Sequence, residues 1–247
     1  MLADTREVAF VDYGAGRPHP TSPTKGEGRD YRRICDIAKG SLAKKKYAQM
    51  LARLVNWLGG PLLTSPSRGG IGDWRLAMGD GQLAIGDWQL AIGDGLIIVE
   101  LGTSLGVTTA YMAAMDKRNK VITYEGCPAV AEIAKENWEA LGLKNIDCRV
   151  GEITADILDR DLERVDVAFI DANHTYAGTR AYFNVLAEKV HRKSVVIVDD
   201  IHYNKEMEQA WREICADERV TSTMDLYQMG LVFFDKDYWK RDYRIKV

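Results

Sequence analysis

The chain has 247 residues, of which 46% are hydrophobic, and its formal net charge is −3. This length and composition are sufficient for one domain with a packed core. The slightly acidic balance excludes the strongly basic protein classes, so we expect neither a nucleic acid nor an anionic membrane surface as a partner.

The cysteines and the N-terminus argue against further classes of protein. Four cysteines occur without any CxxC pair, which argues against structural zinc and against a disulfide framework. The start, MLADTREVAF, lacks the basic and apolar regions of a signal peptide. No apolar run approaches the ~18 residues that a bilayer span needs. We therefore expect a cytoplasmic protein, and we allow for a homodimer because the sequence leaves the oligomeric state open.

Two segments differ in composition from the sequence of a folded domain. Residues 1–30 are predicted to be an irregular N-terminal segment, because 17–28 is rich in Pro, Gly, Ser and Thr. The remainder, 31–247, is predicted to be one domain, interrupted at about 61–95 by a low-complexity insertion. That insertion carries the tandem heptapeptides IGDWRLA, MGDGQLA and IGDWQLA. Glycine in every copy argues against a coiled coil, and a surface loop tolerates such an insertion at little cost in free energy.

The rest of the chain alternates between helical spacing and apolar runs of strand length. Strands are predicted at 96–100, 121–125, 146–150, 165–171, 194–200, 219–226 and 230–235. Helices are predicted at 41–58, with Ser41 as N-cap, and at 107–116, 129–141, 176–190 and 206–216. This alternation predicts an α/β fold with a doubly wound, mostly parallel seven-stranded sheet and an antiparallel C-terminal strand.

A glycine-rich loop follows the first of the long apolar strands. It reads Glu100-Leu-Gly102-Thr-Ser104-Leu-Gly106 and leads directly into a helix. Glycines allow a sharp turn and a close approach of the backbone to a ligand. A dinucleotide fold would have GxGxxG here and place a pyrophosphate at the helix N-terminus. The acid before this loop instead suits a cationic ligand, and S-adenosylmethionine (SAM) carries both an ammonium and a sulfonium.

Two further acidic positions follow the next strands. Glu125 ends the strand VITYE, 25 residues after Glu100, where a carboxylate can accept hydrogen bonds from both hydroxyls of a ribose. Gly151 and Glu152 follow the third strand, where the edge of an adenine would lie. Ligands in such sheets bind outside the carboxyl ends of the strands, so these residues are predicted to share one site.

A second group of acidic residues is predicted to lie where the reaction takes place in that site. Asp171 ends one strand, and Asp199 and Asp200 end the next. Three carboxylates at neighbouring strand ends repel one another unless a positive group lies between them. A divalent cation is one such group; the alternatives are proton sharing, or binding of the SAM amino group and a polar substrate. His174 and His202 are candidates for a general base or a metal ligand.

These motifs together resemble those of a known family. ELGTSLGVTTAYMA, VITYEGCPAVAEIAKENWEALGL, VDVAFIDANHTY and VVIVDDIH are similar to the successive motifs of class I SAM-dependent methyltransferases, in particular the small O-methyltransferase-like group with an FIDxxHxY motif. The resemblance covers 31–247, apart from the insertion, and implies the Rossmann-like methyltransferase fold. It implies that the methionine part of SAM contacts the residues Glu100, Gly102, Ser104 and Gly106, with Asp171 beside it. It assigns Glu125 to the ribose and Glu152, next to Gly151, to the adenine region.

The resemblance also bears on metal binding and catalysis. Catechol-type O-methyltransferases hold a divalent cation, Mg²⁺, with an Asp after the fourth strand and an Asp-Asn pair after the fifth. Asp171 and Asp199 match the two Asp positions, whereas Asp200 stands in place of Asn and adds a negative charge. The catalytic Lys of that group is also missing, and Asn173-His174 occupies its stretch, which makes His174 a candidate replacement.

The sequence therefore predicts transfer of the SAM methyl group to a small-molecule acceptor at a hydroxyl oxygen. Two hypotheses from other classes stay open at this point. One is a SAM- or nucleotide-binding protein without catalytic activity, and the other is an NAD-type oxidoreductase, which the missing GxGxxG disfavours.

Overall fold

The computed structural model describes residues 3–10, 30–41, 45–59, 95–237 and 239–245. The heptapeptide insertion lies outside these residues, as does the segment rich in Pro, Gly, Ser and Thr. All four cysteines are free. No helix within the described ranges is long and apolar enough to cross a membrane.

One large sheet of eight strands forms the centre of the molecule, in the order β10-β8-β9-β7-β6-β3-β4-β5. Its strands are β3 (Ile97–Leu101), β4 (Lys120–Glu125), β5 (Ile146–Val150), β6 (Val165–Ile170), β7 (Val190–Asp199), β8 (Ser222–Asp225), β9 (Met229–Phe233) and β10 (Arg241–Arg244). Strand β9 is antiparallel to both of its neighbours, and every other pairing in this sheet is parallel. A separate antiparallel pair consists of β1 (Glu7–Phe10) and β2 (Asp30–Arg33).

Seven helices occur in the described residues: α1 (Ile34–Ser41), α2 (Lys45–Gly59), α3 (Val107–Ala113), α4 (Pro128–Ala140), α5 (Ala155–Asp161), α6 (Tyr176–Lys189) and α7 (Lys205–Ala216). The last three begin at residues whose side-chain oxygens accept a backbone N–H of the first turn, namely Thr154, Thr175 and Asn204. Such caps satisfy donors that the helix leaves without partners.

Alternate residues of the strands face opposite sides of the sheet and build two cores. Val99, Leu101 and Ile170 pack with α5, α6 and α7 on one side. Ile98 and Phe169 pack with α2 and α3 on the other. The strands that border the predicted site are therefore buried on both faces, which explains their near-continuous apolar sequences.

Strand β3 lies at the point where the order of the sheet reverses. Its neighbours are β4 on one side and β6 on the other, so the chain segments that leave β3 and β6 run in opposite directions along the sheet. The crevice above the carboxyl ends of such strands is the usual ligand site of an open α/β sheet. The predicted site residues lie at or just after the carboxyl ends of β3, β4, β5, β6 and β7, at this edge.

The predicted fold class is confirmed, with three corrections in detail. The sheet has eight strands rather than seven, because β10 adds a fully exposed edge strand whose sequence, RDYR, has no apolar signal. The N-terminal segment predicted to be irregular contains β1, which pairs with β2 across the sequence. Ser41, the predicted N-cap of a helix, is instead the last residue of α1, and the next helix begins at Lys45.

Candidate cofactor site and active site

The glycine loop after β3 is held in a conformation that larger residues cannot adopt. Gly102 has φ 99°, and a Cβ added there would lie 2.2 Å from the backbone oxygen of Asp171. Gly106 has φ 73°, and a Cβ would lie 2.5 Å from the indole Nε1 of Trp138. That indole nitrogen donates to the Gly106 carbonyl oxygen at 2.7 Å. The loop is therefore packed against the ends of the neighbouring elements, and glycine is required at both positions.

We expect Gly102→Ala to lower the free energy of unfolding by on the order of 3 kcal/mol or more, because it combines a left-handed φ with a backbone collision. Gly142→Ala is a matched control: Gly142 has φ 68°, but a Cβ there would have nothing within 4 Å. The control should lose only about 1 kcal/mol, the conformational part of the effect. Urea unfolding of the two variants measures the difference, and equal losses would argue against the close contact with Asp171.

Glu125, at the end of β4, holds the glycine loop through its carboxylate. One oxygen accepts the backbone N–H of Ser104 at 2.8 Å, and the other accepts that of Cys127 at 2.9 Å. Ser104 has φ 48°, a strained value for a residue other than glycine. Burial raises the pKa of Glu125, although the backbone donors oppose the shift. A carboxylate offers about four acceptor sites, so Glu125 keeps capacity for a further donor beside these backbone N–H groups.

Glu100 is fully buried at the end of β3. Its Oε2 accepts hydrogen bonds from the hydroxyls of Thr109 and of Thr123, the latter at 2.7 Å. Its Oε1 is buried without any hydrogen-bond partner among the described residues. Burial, with a smaller contribution from Glu125, raises the pKa of Glu100 to about 7. A buried carboxylate oxygen without a donor is unfavourable, so this atom is suited to receive a donor from a bound ligand.

The raised pKa of Glu100 makes the stability of the ligand-free protein depend on pH. The folded protein holds the proton more tightly than the unfolded chain, whose Glu has a pKa of 4.5. This contribution to stability is fully present below pH 4.5 and is lost as the pH rises through about 7. The loss amounts to about 3 kcal/mol at the most.

We expect Glu100→Gln to remove that pH dependence. The variant should be more stable than the unchanged protein at pH 8, and should have no such advantage at pH 4.5. Thermal unfolding at the two values measures this, with Glu152→Gln as an exposed control. An unchanged slope of stability against pH in Glu100→Gln would show that the carboxyl group is not buried as described.

Gly151 adjoins Glu125, and Glu152 follows it just after the end of β5. The backbone N–H of Gly151 donates to the carbonyl oxygen of Glu125 at 2.9 Å. Gly151 has φ 141°, and a Cβ there would have nothing within 4 Å. Both residues are exposed, so they border the edge of the site rather than its interior.

Asp171 and Asp199 form a carboxyl pair at the ends of β6 and β7. The two side chains act on each other's pKa, and a hydrogen bond between two carboxyl groups requires a proton on one of them. Burial raises the pKa of Asp171 well above its ordinary range, with further contributions from Asp199 and Glu100. Burial also raises the pKa of Asp199. Like charges held this closely titrate as a unit, so we describe the pair as sharing one proton near neutral pH.

Asp200, the third predicted metal ligand, hydrogen bonds to a residue outside the pair, although its charge acts on both members of the pair. Its Oδ1 accepts a hydrogen bond from the amide of Gln228 at 2.7 Å. Its backbone has φ 53°. Within the described residues, no three His, Cys, Asp or Glu side chains form a group that could hold a metal ion. The geometry therefore does not fit the predicted Mg²⁺ site at Asp171, Asp199 and Asp200, and it favours the alternative of proton sharing.

The two candidate histidines have different surroundings. His174, with φ 32°, places Nε2 3.5 Å from Oδ1 of Asp171. Burial lowers the pKa of His174 even though Asp200 opposes the shift, so the ring is neutral near pH 7. His202 instead places Nε2 3.0 Å from Asp225 and Nδ1 3.6 Å from Glu208. His174 thus lies with the carboxyl pair, whereas both nitrogens of His202 face carboxylates outside it.

Several residues that shape the site gave no signal in the sequence. Thr109 and Thr123 hold Glu100, and Thr123 is its direct neighbour across the β3–β4 pairing. Trp138 supports Gly106 from α4. These contacts join residues that are distant along the chain. A single threonine or tryptophan belongs to no sequence motif from which such a contact could be predicted.

A cavity of about 580 Å³ lies at the opposite end of the sheet. It is lined by residues at the start of β7 and after β9, among them His191, Arg192 and Phe234. It contains none of the predicted site residues, so we place the site at the carboxyl edge, on the chemistry of the residues there.

Comparison with known proteins matches the segment that contains most of these residues. Residues 99–201 match a family model described as a methyltransferase domain. A protein-L-isoaspartate O-methyltransferase of Magnetococcus marinus is 40% identical over 60 residues, which are 24% of this chain and 25% of that protein. An O-methyltransferase of Aspergillus flavus, imqG, is 30% identical over 111 residues, 42% of this chain and 44% of that protein. The matches thus span less than half the length of these curated relatives.

The fold is similar to that of a solved O-methyltransferase. The crystal structure of TomG from Streptomyces achromogenes, an enzyme of tomaymycin synthesis in complex with SAM, has a TM-score of 0.58 and 16% identity. The similarity covers 81% of this chain and 87% of TomG. At this identity the comparison concerns the fold alone. The described chain has a Rossmann-like methyltransferase fold, and its residues 99–201 match the model of a methyltransferase domain.

Proposed function

We propose that this chain transfers the methyl group of SAM to a hydroxyl oxygen of a small-molecule acceptor. One observation carries the proposal: the carboxylates of Glu100 and Glu125 end adjacent strands beside the glycine loop, and Oε1 of Glu100 is buried without a partner in the part of the chain that the structure describes. A ligand with an ammonium group and a ribose supplies donors for both carboxylates. The names of the similar proteins, all O-methyltransferases, support oxygen as the atom that is methylated.

In this proposal the two strand-end glutamates bind and orient the cofactor. Glu100 accepts a hydrogen bond from the ammonium of SAM, and Glu125 accepts those of the ribose hydroxyls. Gly102, Ser104 and Gly106 bring the loop backbone against the methionine part, and Gly151 and Glu152 border the adenine. SAM supplies an electrophilic methyl group on a positively charged sulfur. Holding that group in line with the acceptor oxygen removes much of the entropic barrier to the reaction.

The acceptor proton is assigned to His174. A neutral imidazole can take the proton as the oxygen attacks the methyl group, and His174 is neutral because its burial lowers its pKa. The Asp171–Asp199 pair, which carries one negative charge, stabilises the resulting imidazolium at 3.5 Å. We assign no step to Mg²⁺ and none to His202. The cytoplasmic location, the homodimer and the lack of a nucleic-acid partner stay predictions.

Mass spectrometry of the freshly purified protein tests the proposal first. We expect bound SAM, or its demethylated product S-adenosylhomocysteine, to co-purify. A panel of small hydroxyl compounds with labelled SAM, with Mg²⁺ and with EDTA, should then yield a methylated product. SAM binding without turnover on any acceptor would favour a binding protein, and binding of NAD in place of SAM would favour an oxidoreductase.

A further inference from the structure

The N-terminal strands and helix α1 pack directly on the loop of the proposed cofactor site. The N-terminal unit consists of residues 3–10 and 30–41, that is, β1, β2 and α1. It shares a separate hydrophobic core with the glycine loop and the start of α4. The buried members of this core are Ile34, Ile37, Ala38, Leu105, Cys127, Val130 and Ile133, and Val8 and Phe10 pack against them.

Two members of this core adjoin the residues that hold the cofactor. Leu105 is fully buried and follows Ser104 in the glycine loop. Cys127 is also buried, and its backbone N–H donates to Glu125. The N-terminal unit therefore contacts the neighbours of both partners in the Ser104–Glu125 hydrogen bond.

Polar contacts fix the unit in the same place. The thiol of Cys127 donates to the carbonyl oxygen of Ala9 in β1 at 3.4 Å. Arg6 donates to Glu136 of α4 at 3.1 Å. Within the unit, the guanidinium of Arg32 lies 3.9 Å from the centre of the Phe10 ring. Strand β1 is thus tied to the sequence that follows Glu125, and not only to its partner β2.

The backbone conformation of Ser104 links these contacts to cofactor binding. Its φ of 48° is sparsely populated for serine, and such a residue keeps this conformation only where its surroundings impose it. The hydrogen bond to Glu125 acts on one side of Ser104, and the burial of Leu105 under the N-terminal unit acts on the other. Loss of the second constraint would let the loop relax and withdraw the N–H from Glu125.

We infer that the N-terminal unit positions the SAM site, with Ile34 and Phe10 as positioning residues that act through Leu105 and Cys127. We assign neither residue a contact with the cofactor. The inference rests on the proposed function, because it takes SAM as the ligand of this loop. It assigns a role in cofactor affinity to a segment outside the matched residues 99–201.

A pair of matched substitutions tests this inference. Ile34→Ala removes a fully buried side chain from the N-terminal unit, and Ile214→Ala removes an equally buried one from α7 on the other side of the sheet. We expect Ile34→Ala to raise the dissociation constant of SAM about tenfold and Ile214→Ala to change it less than about twofold. Unfolding midpoints show whether the two variants lose comparable stability. At saturating SAM, kcat of Ile34→Ala should recover to that of the unchanged protein.

Two more variants keep the test decisive. Ile34→Leu conserves the volume and should restore SAM affinity. Phe10→Ala, at a half-buried position, replaces Ile34→Ala if the latter does not fold, and should weaken SAM binding in the same way. Equal SAM affinities in the N-terminal and α7 variants would overturn the inference. Failure of the unchanged protein to bind SAM would instead overturn the proposed function, so the two failures are distinguishable.

Discussion

Replacement of Glu125 by alanine is expected to weaken SAM binding by about 100-fold, or roughly 3 kcal/mol. The carboxylate is proposed to accept two ribose hydroxyls, and it also fixes the loop through the N–H groups of Ser104 and Cys127. Its removal takes away both the ligand contacts and the support of the loop. Isothermal titration calorimetry with SAM measures the change.

Two variants separate these effects. Glu125→Gln keeps the size and one acceptor oxygen, so its affinity should lie between those of Glu125→Ala and the unchanged protein. Glu152→Ala, at an exposed position next to the site, should alter affinity by only a few-fold. An affinity for SAM that is unchanged in a folded Glu125→Ala protein would refute the location of the ribose.

Replacement of Asp171 by asparagine is expected to lower kcat by a factor of about 10² to 10³, the range for loss of a general acid–base contribution. The substitution keeps the shape but removes the carboxyl group that lies 3.5 Å from His174, and it confines the negative charge of the pair to Asp199. The dissociation constant of SAM should stay within a few-fold, because Asp171 is assigned to proton transfer. Steady-state kinetics and calorimetry together separate the two quantities.

Asp200→Asn is the matched control for Asp171→Asn. The Asp200 carboxylate is held by Gln228, and an amide oxygen can accept the same hydrogen bond. Because the charge of Asp200 also acts on the pKa of His174, kcat should fall, but by less than in Asp171→Asn. A three-carboxylate metal site would predict loss of activity in both variants, together with inhibition by EDTA. Equal losses in the two variants would therefore contradict the account and restore the metal hypothesis.

The sequence was sufficient for the central strands and for the acids that end them. Apolar runs predicted β3, β4, β6 and β7 because these strands are buried on both faces. An acid at the end of such a run is expected at the edge of the sheet, where the buried strand ends. The positions of Glu100, Glu125, Asp171 and Asp199 at one edge follow directly from parallel pairing. The glycine spacing after β3 predicted the loop because the sharp turn there depends on residues that are adjacent in the sequence.

Other features depend on contacts that local sequence does not encode. Strand β10 is an exposed edge strand without an apolar pattern, and β1 is recognised only through its pairing with β2. The separation of Asp200 from the Asp171–Asp199 pair depends on Gln228, 28 residues further along the chain. The surroundings of His202 depend on Asp225 and Glu208. Spacing places a side chain at the right edge, but long-range packing decides which neighbour it meets.

The central claim is that the carboxyl edge of this sheet binds a positively charged nucleoside. Calorimetric titration of the unchanged protein with SAM, and in parallel with NAD, tests it most directly. Saturable binding of one SAM per chain without binding of NAD is the predicted result. Binding of NAD alone, or of neither compound, to the folded protein would contradict it.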